Sequence, residues 1–490
     1  MAQPSLAARA AIAVLLMIGF YVLAIAIAGA LLGIVYLDFA SGHIQPKLII
    51  ICIAGAGMIL WSILPRRDKF VSPGPALDPG AHPKLFQEIR SLASGTGQQM
   101  PSEVYLVHDM NAWVAQRGGT VGFGSRRVMG LGLPLLQSLN ISQFRAVLAH
   151  EFGHYYGGDT ALGPFIYKTR NAMRRTIRNL AEANSVLTHV FLWYGNLFLK
   201  VTQAISRRQE LAADDLAARV VGPQHLASGL TVVHAAAGAT QTFWNEEIAP
   251  VLQAGFRPSV VDGFSRFMSA ESVRKIMDAT SQAELKSRKA DRFDSHPPLA
   301  ERLESAKRIS LPGELPRTEP AVSLLNSPER VEADLLNFLL GAEKMKKLKP
   351  IAWEEVPNTV FGPAWQEAVA RNRGFLKGIT PHALPERTKQ YAPLFRGEPV
   401  FYAQQWSEEL RAIGAALILA AVQQGATLHA MPGEMFVEKA GSSFQPFSVA
   451  PNLALKKMAH ADWQETCRKM GISEVDLGTV GQAAAVTANS

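Results

Sequence analysis

Residues 10–37, "AAIAVLLMIGFYVLAIAIAGALLGIVYL", run for 28 positions without a charged side chain. Residues 48–64, "LIIICIAGAGMILWSIL", add 17 more. At about 1.5 Å of helical rise per residue, the first run crosses a hydrocarbon core of about 30 Å with length to spare, and the second just reaches across. The first is too long for a buried core helix, and it far exceeds the apolar segment of a cleaved signal peptide, although "AIAIAGA" has small residues at a peptidase-like spacing. The sequence therefore predicts a two-span hairpin within residues 1–70, with spans at about 10–37 and 47–64.

Basic residues orient the hairpin. "PRRDK" (65–69) follows the second span, Arg9 precedes the first, and the connecting loop offers only Lys47. The excess of cations at the two outer flanks places both termini, and everything after residue 65, on the cytoplasmic side of the cell (inner) membrane, as a multi-pass protein. With only two cysteines, Cys52 inside a span and Cys467 near the end, no disulfide framework is expected. These features argue against a secreted enzyme. The formal charge of +8 suits a body held against an anionic leaflet. No aromatic–basic platform or finger spacing is present, so no nucleic-acid partner is expected.

After a Pro/Gly-rich connector, "VSPGPALDPGAHP" (71–83), β-branched residues and glycine punctuation predict a short sheet from "SEVYLVHD" (102–109), "NAWVAQRGGTVGF" and "SRRVMGLGL" (125–133). Helical spacing begins at Ser142, read as an N-cap, and stops at Gly157–Gly158. Further helices are expected over 165–183, 186–220 and 223–238. "LPGELPRTEP" (311–320) reads as a linker. Beyond it, amphipathic runs near 365–375 and 403–424, a hairpin-like "TLHAMPGEMFVEKAG" and a core helix around "IGAALILAAV" (413–422) predict an appended α+β domain over 321–490. Its role is not readable.

The chemistry concentrates at residues 150–154, "HEFGH". A helix advances about 100° per residue, so His150 and His154 project from one stripe and can share a tetrahedral metal ion. Glu151 falls beside the ion, where it can take a proton from a metal-bound water; H-E-x-x-H is the signature of zinc peptidases. Such a site needs a third protein ligand and an open position. A third histidine six residues after His154 is excluded, because Thr160 stands there. Two later glutamates compete. Glu182 has Val186 four residues on, whereas Glu210, in "SRRQELAADDLAA", has Asp214, a carboxylate able to hold a ligating imidazole in the right tautomer. Glu210 with Asp214 is the better pair.

"LAHEFGH", "SRRQELAAD" and "DSHPPLAERL" (294–303), in that order, resemble the HtpX-type membrane peptidases and the type 1 CAAX-prenyl endopeptidases. The resemblance covers roughly residues 100–305. It implies a fold that is mainly α with a small β-sheet, an α+β zincin-like metallopeptidase domain (71–310) behind the transmembrane hairpin. It further implies one Zn2+ per chain on His150, His154 and Glu210, with Glu151 as general base and Asp214 behind the ligands. "NAWV" is similar to the family's edge-strand segment, so Asn111, Ala112 and Trp113 would bind an extended peptide as an added strand. His296 matches the family's His-Pro and would help stabilise the oxyanion.

One constraint comes from parity. A single membrane crossing between His154 and Glu210 would separate the ligands, so the apolar "NSVLTHVFLWYGNLFLKVTQAI" (184–205) cannot span alone. Its only partner, 165–183, carries Lys168, Arg170, Arg174, Arg175 and Arg178, too many cations for bilayer depth. Both helices are therefore expected on the cytoplasmic side, the basic one facing headgroups and the aromatic one lining the cleft or lying in the interface. Two spans cannot build the cage of a prenyl endopeptidase. The expected activity is a membrane-anchored zinc endopeptidase acting on polypeptides, membrane proteins or unfolded segments near the membrane. A catalytically inactive zinc-binding adaptor and a CAAX-type peptidase are the alternatives.

Overall fold

The computed structural model describes residues 6–42, 44–64, 70–118, 126–154, 163–286, 297–395 and 407–481. The fold is mainly helical with small sheets, behind two N-terminal apolar helices. These are α1 (Leu6–Ala40) and α2 (Pro46–Ile63), as the charge-free runs predict. Along α1, Ala13, Met17, Phe20, Ala24 and Ala28 are buried at spacings of three and four residues, which is one helix face. The other faces stay apolar yet exposed, as at Leu15, Ile18, Val22 and Ile25 on α1 and Ile50, Ile51 and Trp61 on α2. An apolar surface this continuous on two neighbouring helices is what lipid covers. "PRRDK" lies outside the described residues.

The segment after the hairpin opens with α3 (Pro83–Gly95) and a three-stranded sheet of β1 (Glu103–Val107), β2 (Ala112–Arg117) and β3 (Arg126–Gly132), in the order β1-β3-β2. β3 pairs parallel to β1 and antiparallel to β2, which leaves β2 at the edge. A short α4 (Leu133–Ser138) leads into α5 (Ile141–Gly153). The N-cap of α5 is Asn140, not Ser142. Its side chain accepts from the Gln143 N–H, and the Gln143 side chain accepts from the Asn140 N–H, a reciprocal cap that satisfies two orphan donors. Ser142 Oγ instead accepts from the backbone N–H of Arg317 at 2.8 Å. Gly157 and Gly158 lie outside the described residues.

Next come α6 (Gly163–Glu182), α7 (Leu187–Val220) and α8 (Pro223–Thr242), close to the expected helices. A single π-helical turn (Phe243–Ile248) joins α8 to α9 (Ala249–Gln253), followed by α10 (Val260–Ser269), α11 (Glu271–Lys286) and α12 (Leu299–Lys307). The main core gathers α3, the sheet, α5, the far half of α7, α8 and α12, with Phe144, Leu148 and Phe152 from one side of α5. Ala321, Leu324, Val331 and Leu335 pack into this same core, so it continues past residue 320.

Residues 311–320 form no helix or strand, yet they are not a loose linker. Arg145 of α5, almost fully buried, pairs with Glu88 of α3 and at 2.7 Å with Glu314, while Arg317 reaches Glu88 at 2.6 Å. Glu319 C=O accepts from the Ile141 N–H at 2.9 Å. The breaker-rich stretch thus straps the start of α5. A separate core lies farther along the chain, built on the helix Glu408–Gln423, Trp463 and a three-stranded antiparallel sheet over 427–444. The Pro432–Gly433 turn of that sheet docks on the peptidase segment: Gly433 N–H donates to Glu247 at 3.0 Å, and Ser272 Oγ donates to Gly433 C=O.

Candidate metal centre

Two helices meet to build the centre. α5 brings His150 and ends at its C-cap residue, His154; α7 brings Glu210 and, one turn on, Asp214. Their crossing is close because Gly153 has no side chain. A Cβ at that position would lie 2.8 Å from Ala213 Cα, 2.9 Å from its Cβ and 3.1 Å from its carbonyl oxygen. Residue 153 of "HEFGH" and residue 213 of "QELAAD" are thus in backbone contact, directly behind the ligands.

The ligating atoms of His150, His154 and Glu210 all lie within 4.8 Å of one another. His150 Nε2 stands 3.5 Å from Glu210 Oε2, and His154 Nε2 stands 3.6 Å from Glu210 Oε1. Ligands about 2.0–2.1 Å from a tetrahedral zinc ion stand about 3.4 Å apart, so this donor set, two imidazoles and a carboxylate, fits zinc in type and in spread. The two imidazole rings meet edge-on, at an interplanar angle of 80°. His150 and Glu210 are buried, whereas His154 and Glu151 are half-buried and leave one side of the centre open.

Behind the ligands, His150 Nδ1–H donates to Asp214 Oδ1 at 2.8 Å, which directs Nε2 to the centre. Burial alone would lower the His150 pKa, but the Asp214 and Glu210 carboxylates outweigh it and raise it to about 9. Burial likewise works to raise the pKa of Asp214, and the Arg302 and His150 hydrogen bonds hold it below the usual carboxylate range.

Arg302 is the residue that sequence reading passed over. It sits on α12, 4% exposed, and grips Asp214 with two parallel bonds, Nε to Oδ2 at 2.8 Å and Nη2 to Oδ1 at 2.7 Å. The same Nη2 lies 3.4 Å from His150 Nδ1 and 3.9 Å from Glu210 Oε2. Its signal lies in "DSHPPLAERL", where the arginine follows the prolines by about one helical turn. His296 itself lies outside the described residues.

On the cleft side, β2 is an edge strand of the three-stranded sheet among the described residues. Asn111, exposed, precedes it, and its carbonyl accepts from the Gly132 N–H at 2.8 Å. Ala112 is buried. Trp113 is half-buried, its indole lying over Gly130 of the neighbouring strand, where any Cβ would collide with the ring. The aromatic half of α7 does not line the cleft. Phe191, Tyr194 and Phe198 turn toward α1, and the chain nevertheless returns Glu210 to His154, so parity is satisfied.

Residues 79–310 match the model of Peptidase family M48. That segment resembles the M48 metallopeptidases of HtpX type. Protease HtpX of Pseudomonas syringae pv. tomato is 25% identical over 243 residues, which cover 46% of this chain and 70% of that protein. A Protease HtpX homolog of Fusobacterium nucleatum is 30% identical over 145 residues, 26% of this chain and 44% of the homolog. Another, of Tropheryma whipplei, is 26% identical over 200 residues, 37% of this chain and 67% of the homolog. No solved structure matches the chain. With the M48 domain behind two helices long and apolar enough to cross a bilayer, the chain is a membrane protease.

Proposed function

We propose that the protein is a zinc-dependent endopeptidase, anchored by α1 and α2 in the cell membrane with its M48 domain and C-terminal domain on the cytoplasmic side, that hydrolyses peptide bonds of membrane proteins or unfolded segments near the bilayer. The observation that carries this reading is the convergence of His150, His154 and Glu210 from two helices, with Glu151 adjacent on the open side. A zinc ion held by those three residues would supply Lewis acidity, lowering the pKa of a water and polarising a carbonyl. Glu151 would take the proton of the attacking water and return it to the leaving amide nitrogen. Asp214, clamped by Arg302, keeps His150 in the ligating tautomer. As an edge strand, β2 would align an extended peptide, with Asn111, Ala112 and Trp113 at its start. His296 is assigned to the oxyanion on the resemblance alone.

The relatives' name, Protease HtpX, and the two candidate spans favour this over a prenyl-protein peptidase. The test is digestion of casein by the detergent-solubilised protein, wild type against Glu151→Gln, with zinc assayed in both. The expected result is equal zinc and loss of digestion in the variant. Equal digestion by both, or protein purified without metal, would overturn it; an inactive adaptor would bind zinc and digest nothing in either form.

A further inference from the structure

α6 and α7 pack against the two candidate spans, not only against the peptidase core. Tyr194 Oη donates to Leu16 C=O of α1 at 2.8 Å, and Gly19 leaves room for that hydroxyl. Arg175 Nη2 donates to Ser62 C=O of α2 at 3.0 Å, and Asn179 Nδ2 donates to Ser62 Oγ at 2.9 Å. Phe20, Ile59, Leu180, Phe191 and Phe198 close a four-helix core. Both anchor points, Leu16 and Ser62, lie within the charge-free runs near one end of the hairpin.

The outward surface of this helix pair is divided. Along α7 and its N-cap, Val186, Val190, Trp193 and Leu197 recur at helical spacing and are exposed, Val186 by 81% and Trp193 by 66%. Trp61, near the end of α2, is exposed by 64%. On α6, Arg174 and Arg178 are exposed. Residues 163–182 carry five cations and a single carboxylate, Glu182, which pairs with Arg178 at 3.9 Å. Apolar stripe, exposed tryptophans and cations side by side, continuous with two lipid-facing helices, match the layered chemistry of a bilayer interface.

Depth follows from the contacts. Ser62 lies two residues from the end of the charge-free run 48–64, and α6 ends three residues beyond Asn179, so the helix pair reaches about 8 Å in from that end. That is an interfacial depth, far short of the about 30 Å needed to cross.

We propose that the α6–α7 hairpin is a re-entrant wedge seated in the cytoplasmic leaflet, its α7 stripe in the upper acyl region and its α6 arginines on anionic phospholipid headgroups. Because α7 runs unbroken to Glu210, the wedge fixes the metal centre to the membrane through one rigid helix. The inference rests on the membrane-protease reading, but it is read without turnover, so the two can fail separately.

The test uses the full chain with Cys52→Ala and Cys467→Ala, and an environment-sensitive fluorophore on Val190→Cys or Trp193→Cys. Glu343→Cys, exposed on its own short helix, is the water-facing control. Each protein is reconstituted in phosphatidylcholine vesicles with or without phosphatidylglycerol, after a melting curve confirms that it folds. At 190 and 193, aqueous iodide should quench several-fold less than at 343, and lipids spin-labelled near the carbonyl should quench more than lipids labelled near the chain end. Arg174→Gln with Arg178→Gln should abolish any extra protection given by phosphatidylglycerol. Iodide quenching equal to that at 343 would overturn the proposal, as would strongest quenching from the chain end, which means a crossing. Disulfide-linked dimers of the unlabelled Val190→Cys protein, with no lipid quenching of the labelled one, would overturn it and assign the stripe to a second copy.

Discussion

Arg302 holds Asp214 with both ends of its guanidinium, at 2.7 and 2.8 Å, in a site where each side chain is less than a tenth exposed. The pair sits behind His150, so α12, which no ligand occupies, locks the ligands of α5 and α7 together. Removing one partner of a buried ion pair leaves the other uncompensated, at a cost of about 3–5 kcal/mol. Arg302→Gln should therefore lower the melting temperature and weaken zinc affinity by about 10–100-fold. Metal titration on the purified variant checks this; unchanged affinity and melting would show the clamp to be incidental.

Gly153 sets a contest of signs. On helix propensity alone, Gly→Ala gains about 1 kcal/mol. Here the new methyl would lie 2.8 Å from the Ala213 backbone, and overpacking costs about 1–3 kcal/mol. Gly153→Ala should destabilise the protein and, by pushing α7 from α5, reduce casein digestion. Ala213→Gly added to it should restore part of both, which melting curves and activity on the double variant decide.

His154→Ala and Glu210→Gln each remove one of three converging donors. Both should lose zinc and digestion together, unlike Glu151→Gln, which should lose digestion alone. Metal analysis after dialysis separates the two classes.

Glu247 is half-buried under the Pro432–Gly433 turn. Desolvation, with the nearby Glu246, raises its pKa from 4.5 to about 7 against the opposing Gly433 N–H bond. The folded state thus holds a proton that the unfolded chain releases near 4.5, and stability falls as pH rises from about 4.5 to about 7. The penalty above that window is on the order of 3 kcal/mol. Glu247→Gln, which still accepts from Gly433, should flatten that dependence and melt higher at pH 8, as a series of melting curves against pH would show.

If the wedge fixes α7 to the leaflet, the seventeen residues from Trp193 to Glu210 hold the centre at most about 25 Å above the interface. An extended chain covers that in about eight residues. Single-span substrates with tethers shorter than about eight residues should be cut progressively less, whereas casein digestion should be indifferent; cleavage independent of tether length would contradict the fixed height.

Much of the site was legible because its parts are local. His150 and His154 share a face by helical period alone, and Glu210 and Asp214 do so one helix later. The starts of α7 and α8 fall within a residue of the expected 186 and 223, whereas α8 runs four residues past the expected end at 238. What escaped reading was non-local. Arg302 reaches Asp214 across 88 positions of chain, and Arg145 reaches Glu314 across 169. The true cap at Asn140 was missed because Ser142, an equally good cap by type, was already engaged by Arg317. Nothing in a local pattern announces such partners.

The charge-free runs and the H-E-x-x-H spacing, read alone, determined two helices long and apolar enough to cross a bilayer and half of a candidate metal centre, because lipid thickness and helical period act on contiguous residues. Tertiary structure decided that α7 leans on the spans at one end while it delivers Glu210 at the other, and that α12 clamps the centre from behind. Those outcomes depend on how buried faces and ion pairs match across the fold, which only packing brings together.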